Sequence, residues 1–189
     1  ASRCKRQTGR RRRSPAAGQE VDEAGIKNHD EYGVLGIVPM SVRRFEGILP
    51  DLHATVYVDE QALVSGDVKI GADSSIWPMS VVRGDVNSIE IGERTNIQDG
   101  SVLHVTHDSE FAEGGMPLRI GDDVTVGHKV VLHACTIEDR CLIGMGAVVL
   151  DGAVVRSGAI VGAGALVPPN KDLQGGYLYV GSPVRQVRE

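Results

Sequence analysis

Aromatic residues are scarce in this sequence. Its 189 residues include two phenylalanines, one tryptophan and four tyrosines. No apolar run approaches the ~20 residues that a helix needs to cross a bilayer, and no segment has the pattern of a secretory signal. These absences predict a cytoplasmic protein without a membrane partner. They also favour a fold whose interior has little room for large rings.

Cysteine is also rare. Cys4, Cys135 and Cys141 are an odd number of cysteines without the spacing of a disulfide framework. Cys135 and Cys141 lie at or beside positions that we predict to face inward, so packing explains them. The sequence therefore gives no disulfide framework on which to build a fold.

Positive charge is concentrated at the start of the chain. Seven of the first 13 residues are basic and none is acidic, whereas the remaining 176 residues hold 13 basic and 25 acidic residues, a net charge of −12. A basic arm can bind nucleic acid, but this one lacks interleaved aromatic residues, and we predict no nucleic-acid partner. We interpret residues 1–39 as an irregular extension outside the core, either an upstream addition or a transit-type leader. Residues 40–189 are predicted to form one domain.

A six-residue repeat dominates the rest of the chain. From Ile120 onward the units are IGDDVT, VGHKVV, LHACT, IEDRCL, IGMGAV, VLDGAV, VRSGAI and VGAGAL, with one deletion after His133. The fifth residue of most units is small or β-branched, whereas the first is aliphatic. Internal periodicity of this kind predicts a solenoid. The same aliphatic phase runs backwards, with a break over residues 87–90, through Leu103, Ile97, Ile91, Val82, Ile76, Ile70, Val64 and Val58.

Each hexad is best explained as a short strand plus a turn, so that three hexads form one triangular coil. Coils stack at the inter-strand spacing of about 4.8 Å, and each coil buries its aliphatic residues against its neighbours. The chain holds enough hexads for about six or seven coils. The predicted fold class is therefore an all-β parallel β-helix, whose hand the periodicity does not reveal.

Three histidines stand out once the phase of the repeat is known. His104 follows Leu103 by one residue and His133 follows Leu132 by one, so the two imidazoles occupy equivalent positions on adjacent coils. His128 lies on another face and cannot easily join them within one chain. A threefold axis would bring His128 of one subunit to His104 and His133 of another. Three neutral imidazoles plus water form an open catalytic zinc site.

The motifs around these histidines resemble those of gamma-class carbonic anhydrases. They are RGD at residues 83–85, IEIGERTNIQDGSVLH at 89–104, VTVGHKVVLHACTI and LIGMGAVVLDGAVV, and the resemblance covers about residues 45–188. It implies a homotrimeric left-handed β-helix with metal sites between subunits. It also implies His104, His128 and His133 as ligands of Zn²⁺, with Fe²⁺ or Co²⁺ as alternatives because imidazole accepts all three metals.

The resemblance implies roles for other residues as well. Gln98 would lie beside the metal-bound hydroxide and orient it through a hydrogen bond. Arg83, Asp85 and Asp99 would form an ion-pair network around the subunit interface, which fixes the register of the subunits. The substrate implied is a small molecule, carbon dioxide or bicarbonate.

The activity implied is reversible hydration of carbon dioxide to bicarbonate. A bound metal lowers the pKa of its water to about 7, which provides a hydroxide at neutral pH. A side chain must then carry a proton to solvent. His107 is the candidate for this step because of the pH range in which imidazole titrates, with Glu110 and Glu113 as looser candidates. Tyr179 or Tyr177 would line the pocket.

Departures from the family pattern keep other functions open. Val86 stands where well-studied members carry a glutamate, and the insertion HDSEFAEGGMPLR is shorter than their acidic loop. The chain also stops at Glu189, so we expect a domain without the family's C-terminal helix. One alternative is a metal-stabilised trimeric binding or assembly protein with little hydratase activity. The other is a hexapeptide-repeat acyltransferase, but three histidines in ligand phase favour a metal over the single base of such enzymes.

Overall fold

The structure is a computed structural model that describes residues 41–188. These residues form 20 β-strands and contain no helix. The part of the chain that is described therefore has no apolar helix long enough to cross a membrane. The predicted extension at residues 1–39, with Cys4, lies outside the described residues, as do Met40 and Glu189.

Most strands are only two or three residues long, as the hexad repeat predicts. In chain order they are β1 (Val42–Arg43), β2 (Asp51–Leu52), β3 (Tyr57–Val58), β4 (Leu63–Ile70), β5 (Ser75–Ile76), β6 (Val81–Ile91), β7 (Asn96–Ile97), β8 (Val102–His104), β9 (Leu118–Ile120), β10 (Thr125–Val126), β11 (Val131–His133), β12 (Thr136–Ile137), β13 (Leu142–Ile143), β14 (Val148–Val149), β15 (Val154–Val155), β16 (Ile160–Val161), β17 (Leu166–Val167), β18 (Asp172–Leu173), β19 (Leu178–Val180) and β20 (Arg185–Arg188).

Parallel strands of successive coils pair and build the three faces of a solenoid, and from β7 onward the paired strands are three apart along the chain. The first face contains β2, β9, β12, β15 and β18, the second contains β3, β5, β7, β10, β13, β16 and β19, and the third contains β8, β11, β14 and β17. Strands β4 and β6 begin on the third face and end on the first. Only β20 is antiparallel, where it pairs with β19. The predicted parallel solenoid of six to seven coils is confirmed.

Two tracks of inward-facing side chains fill the solenoid. The aliphatic residues that open the hexads, such as Ile97, Val126 and Ile143, are fully buried. The predicted small positions are buried as well, from Ala62 in the first coil to Ala165 in the sixth. Removing each large aliphatic side chain from water contributes about 1.5–3 kcal/mol relative to leaving it exposed. The inward phase predicted from the hexads is therefore confirmed.

The predicted cysteine environment is also confirmed. Cys135 and Cys141 are both buried, and neither forms a disulfide. Burial raises the pKa of both thiols, since a thiolate is costly in an apolar interior. Both residues are packing residues of the core.

The break in the repeat near residues 87–90 has a structural cause. Strand β6 runs without interruption from Val81 to Ile91 around the corner between the third and first faces. Val68, Ile89 and Leu118 lie in register at this corner and are buried. Because β4 and β6 pass the corner without a tight turn, larger side chains fit inside it. The hexad rule does not hold there.

The outward side of the first face is charged. The Glu138 carboxylate accepts hydrogen bonds from the Ser157 backbone N–H at 2.9 Å and from the Arg156 guanidinium at 2.8 Å. Arg156 also pairs with Asp172 at 2.7 Å. The Ser157 N–H, followed by Arg156, holds the pKa of Glu138 below its usual value.

We expect this contact to make stability depend on acid pH. A carboxylate with a depressed folded-state pKa stabilises the fold above its unfolded pKa, and this contribution is lost as pH falls through the folded pKa. Thermal unfolding between about pH 5 and pH 3 should therefore show a smaller acid-induced fall of Tm for Glu138→Gln than for the native chain. Glu60→Gln, at an exposed residue, is the control. Equal falls in all three proteins would contradict the assignment.

Candidate metal centre

Two histidines meet on the outward side of the third face. His104 ends β8, His133 ends β11, and the two residues are direct partners in the parallel ladder. His104 Nδ1 lies 3.2 Å from His133 Nε2, and the ring centroids are 5.2 Å apart. Both side chains are partly buried. The prediction that the two imidazoles occupy equivalent positions on adjacent coils is confirmed.

Each of these rings is held on its other side by a carboxylate. His104 Nε2 lies 2.8 Å from Asp85 Oδ1, and His133 Nδ1 lies 3.0 Å from Asp151 Oδ2. Asp85 also forms an ion pair with Arg83. Burial raises the pKa of Asp85, but the hydrogen bond with His104 and the charge of Arg83 outweigh it, so the pKa lies below its usual value. Both rings are thus oriented by an anion, a common arrangement around metal-binding imidazoles.

The third histidine lies on a different part of the surface. His128 follows β10 at the corner between the second and third faces, and its Nδ1 lies 3.0 Å from Asp99 Oδ2. Its side chain is half exposed. Within residues 41–188 of one chain, no three His, Cys, Asp or Glu side chains converge as a metal site would require. One chain alone therefore supplies only the pair formed by His104 and His133.

The donor pair fits a tetrahedral metal. Two imidazole nitrogens bound at 2.0–2.1 Å to one tetrahedral ion lie about 3.3 Å apart, and the His104 to His133 distance is 3.2 Å. In each histidine one nitrogen contacts a carboxylate, so the other remains as the nitrogen that can bind a metal. For His128 this is Nε2, on a half-exposed side chain. The His104 and His133 pair therefore fits a metal, and the free nitrogen of His128 could serve as a further ligand only outside this pair.

The remaining predicted site residues lie at varying distances from this pair. Gln98 directly follows β7 and precedes Asp99, so it belongs to the corner that carries His128. His107 is exposed, three residues beyond His104. Tyr179 is 5% exposed on the inward side of β19, and its hydroxyl donates to the Gln174 carbonyl at 3.1 Å. The structure does not bring Tyr179 to the two histidines, and packing in the core explains its ring.

The insertion between β8 and β9 is a small closed hairpin. Thr106 and Met116 exchange backbone hydrogen bonds of 3.0 and 2.9 Å at its base, and Ser109 pairs with Ala112 near its tip. Glu110 and Glu113, named as looser proton-transfer candidates, are exposed. The hairpin lies at the corner that follows His104, so it is attached directly beside the histidine pair.

Two residues of the site were missed by the sequence analysis. Asp151 contacts His133, and the Thr106 hydroxyl donates to the other oxygen of Asp151. A signal for Asp151 did exist, because Asp85, Asp99 and Asp151 each lie one coil away from the histidine they contact. Thr106 had no such signal, since its position depends on the path of the insertion.

Comparison with known sequences places these features in a family. Residues 134–169 match the model described as bacterial transferase hexapeptide (six repeats). Protein YrdA of Escherichia coli is 58% identical over 147 residues, which cover 78% of this chain and 80% of YrdA. A "probable carbonic anhydrase" of Methanocaldococcus jannaschii is 48% identical over 138 residues, covering 73% of this chain and 82% of that protein.

One further sequence relative and one solved structure were compared with this chain. The mitochondrial gamma carbonic anhydrase 1 of Arabidopsis thaliana is 47% identical over 140 residues, which are 74% of this chain and 50% of that protein. Among solved structures, a hexapeptide transferase family protein from Anaplasma phagocytophilum superposes with a TM-score of 0.72 at 37% identity, covering 79% of this chain and 84% of that one. The relatives thus include proteins named as carbonic anhydrases and a protein named for the hexapeptide transferase family.

Proposed function

This chain belongs to the gamma carbonic anhydrase family of hexapeptide-repeat proteins, and on that premise we propose that it hydrates carbon dioxide reversibly to bicarbonate. The reaction would occur at metal sites between the subunits of a homotrimer. The observation that carries the proposal is the His104 and His133 pair, in which two ring nitrogens lie 3.2 Å apart while each ring is held by its own carboxylate. A general base would need only one such imidazole.

The distribution of exposed apolar side chains supports assembly through the second and third faces. Trp77 and Met79, 40% and 67% exposed, lie near the corner between these faces, while the outward side of the first face carries charged residues such as Glu90 and Arg119. Exposed apolar side chains grouped in this way are expected at a contact between subunits, and a threefold axis would make that contact heterologous. The exposed apolar residues on these two faces and their corner are Tyr57, Trp77, Met79, Val102, Leu142, Met145, Ile160 and Val180.

In the proposed trimer, His104 and His133 of one subunit and His128 of its neighbour hold the metal. The metal, as Zn²⁺ or alternatively Fe²⁺ or Co²⁺, would supply Lewis acidity that makes a water nucleophilic near neutral pH. Asp85 would keep the His104 imidazole in the orientation and tautomer that the metal requires, and Asp99 of the neighbouring chain would do the same for its own His128.

Three further residues have proposed roles at this site. Gln98 shares the corner of His128, so its amide would reach the substrate pocket and orient the attacking water through a hydrogen bond. His107 is exposed on the hairpin beside His104 and would carry the proton to solvent. Arg83 secures Asp85 through their ion pair and so supports His104 indirectly.

The test is stopped-flow carbon dioxide hydration on protein purified without oxygen, with metal content measured on the same sample. Zinc, iron and cobalt are supplied in turn. We expect kcat/KM to fall about 100-fold or more when the metal is removed and to return on reloading. The exposed His53, whose imidazole contacts nearby Thr55, provides His53→Ala as a control that keeps full activity. Full metal occupancy without hydration would contradict the proposal and favour a trimeric binding or assembly protein.

A further inference from the structure

We propose that Asp151 and Thr106 together position His133 for metal binding, so that the base of the hairpin controls metal affinity. This inference rests on the proposed function. It concerns residues of the chain whose roles neither the hexad phase nor the family motifs assign. Three groups joined by two successive contacts carry it: the Thr106 hydroxyl, the Asp151 carboxylate and the His133 imidazole.

Both oxygens of Asp151 have a partner. Oδ2 lies 3.0 Å from His133 Nδ1, and Oδ1 accepts the hydrogen bond of the Thr106 hydroxyl. A carboxylate can only accept, so the hydrogen of His133 resides on Nδ1. Nε2 then keeps its lone pair.

That lone pair is on the nitrogen where the proposed site needs it. His133 Nε2 is the atom 3.2 Å from His104 Nδ1. If His133 adopted the other tautomer, Nε2 would carry a hydrogen and could not bind a metal. Asp151 therefore selects the binding form of His133 and also prevents rotation of its ring. Asp151 is a positioning residue, because it acts through His133.

The three carboxylates differ in what holds them. Asp85 is held by the Arg83 guanidinium, whereas Asp99 is half exposed and contacts His128. Asp151 is the one among these three that is held by a neutral hydroxyl on the inserted segment. The Thr106 hydroxyl therefore helps to place one oxygen of Asp151.

Thr106 is itself fixed in place. Its backbone pairs with Met116 on the opposite side of the hairpin base, and the Asn87 side-chain amide donates to the Thr106 carbonyl at 3.4 Å and to the Gly114 carbonyl at 3.2 Å. The hairpin base thus connects β6, which carries Asn87, to the Asp151 carboxylate that contacts His133. Movement of this base would be transmitted to the metal ligand through two hydrogen bonds.

The experiment measures metal affinity of the full-length protein by titration with Co²⁺ and by zinc competition against a chelator. Thr106→Val replaces the hydroxyl with a methyl group of nearly the same size, and Thr106→Ser keeps the hydroxyl. We expect Thr106→Val and Asp151→Asn to bind zinc about 10- to 100-fold more weakly, while Thr106→Ser stays within a few-fold of the native chain. Thr136→Val, on the first face, is the matched control and should bind normally.

The visible spectrum of bound Co²⁺ separates positioning from general destabilisation. A displaced His133 should change the intensity of the Co²⁺ bands in Thr106→Val, even in a protein whose trimer and circular dichroism are native. The inference is overturned if Thr106→Val binds as tightly as the native chain, or if Thr106→Ser loses as much affinity as Thr106→Val, since packing would then explain both. Absence of metal from the native protein itself would instead overturn the proposed function.

Discussion

Replacing His128 with alanine is expected to abolish stoichiometric metal binding, although His104 and His133 keep their contacts with each other and with Asp85 and Asp151. The reason is geometric, because the two remaining imidazoles lie on one chain and the third must come from a neighbour. Two imidazoles alone hold zinc far more weakly than three. Metal analysis after gel filtration, together with stopped-flow hydration, checks the result. Stoichiometric metal in this variant would exclude an interfacial site.

Mixed trimers make the same test sharper. A chain with His128→Ala retains the His104 and His133 pair, and a chain with His104→Ala retains His128. Neither variant alone should bind metal. When the two are unfolded together and refolded, a mixed trimer contains one complete site, where the intact pair of one chain meets His128 of the other. Recovery of metal and hydration in the mixture, but not in either variant alone, would distinguish a shared site from one within a chain.

Replacing Gly84 with alanine is expected to reduce both stability and metal affinity strongly. Gly84 lies in β6 opposite Gly66, and a Cβ at this position would overlap the Asp67 backbone carbonyl of the adjacent coil. Overpacking of this kind costs about 3 kcal/mol. Gly84 also lies directly before Asp85, so any shift of the strand displaces the carboxylate that holds His104. Urea unfolding at fixed protein concentration and zinc competition measure the two effects.

Gly176→Asn is the matched control for this change. A Cβ at Gly176 meets nothing within 4 Å, and its φ is +78°. Asp73 and Asp123, at the same place in other coils, adopt φ values of 58° and 57° with full side chains. Asparagine at Gly176 should therefore change stability by about 1 kcal/mol or less. If Gly176→Asn destabilises the protein as much as Gly84→Ala, close approach of the coils is not the cause.

The sequence was sufficient to predict the solenoid and the relative placement of the two histidines. A repeat of fixed length determines which residues point inward, and two residues that follow the same inward position must align on successive coils. This argument holds for His104 and His133, which are ladder partners. It fails at the corner that holds Ile89, where β6 continues without a turn and the period is lost.

The hydrogen-bonded surroundings of the histidines were harder to predict. Asp151 contacts His133 because a corner residue of the next coil points back toward it, and side-chain direction at a corner does not follow from the period. Thr106 reaches Asp151 only because the inserted hairpin closes against Met116. Tyr179 was predicted to line the pocket, but its ring points into the core of the last coil. It occupies an inward position where other coils have small or aliphatic residues.

The placement of the hairpin makes the surroundings of the two histidines independent of the distance between them. It leaves the solenoid after β8 and returns before β9, and Thr106 and Met116 close its base. Because the coil ladder sets the spacing of His104 and His133, residues beyond this closure can be lengthened, shortened or recomposed at little entropic cost without altering that spacing. Changes in the length or composition of the hairpin could therefore alter what reaches the two histidines while the distance between their rings stays the same.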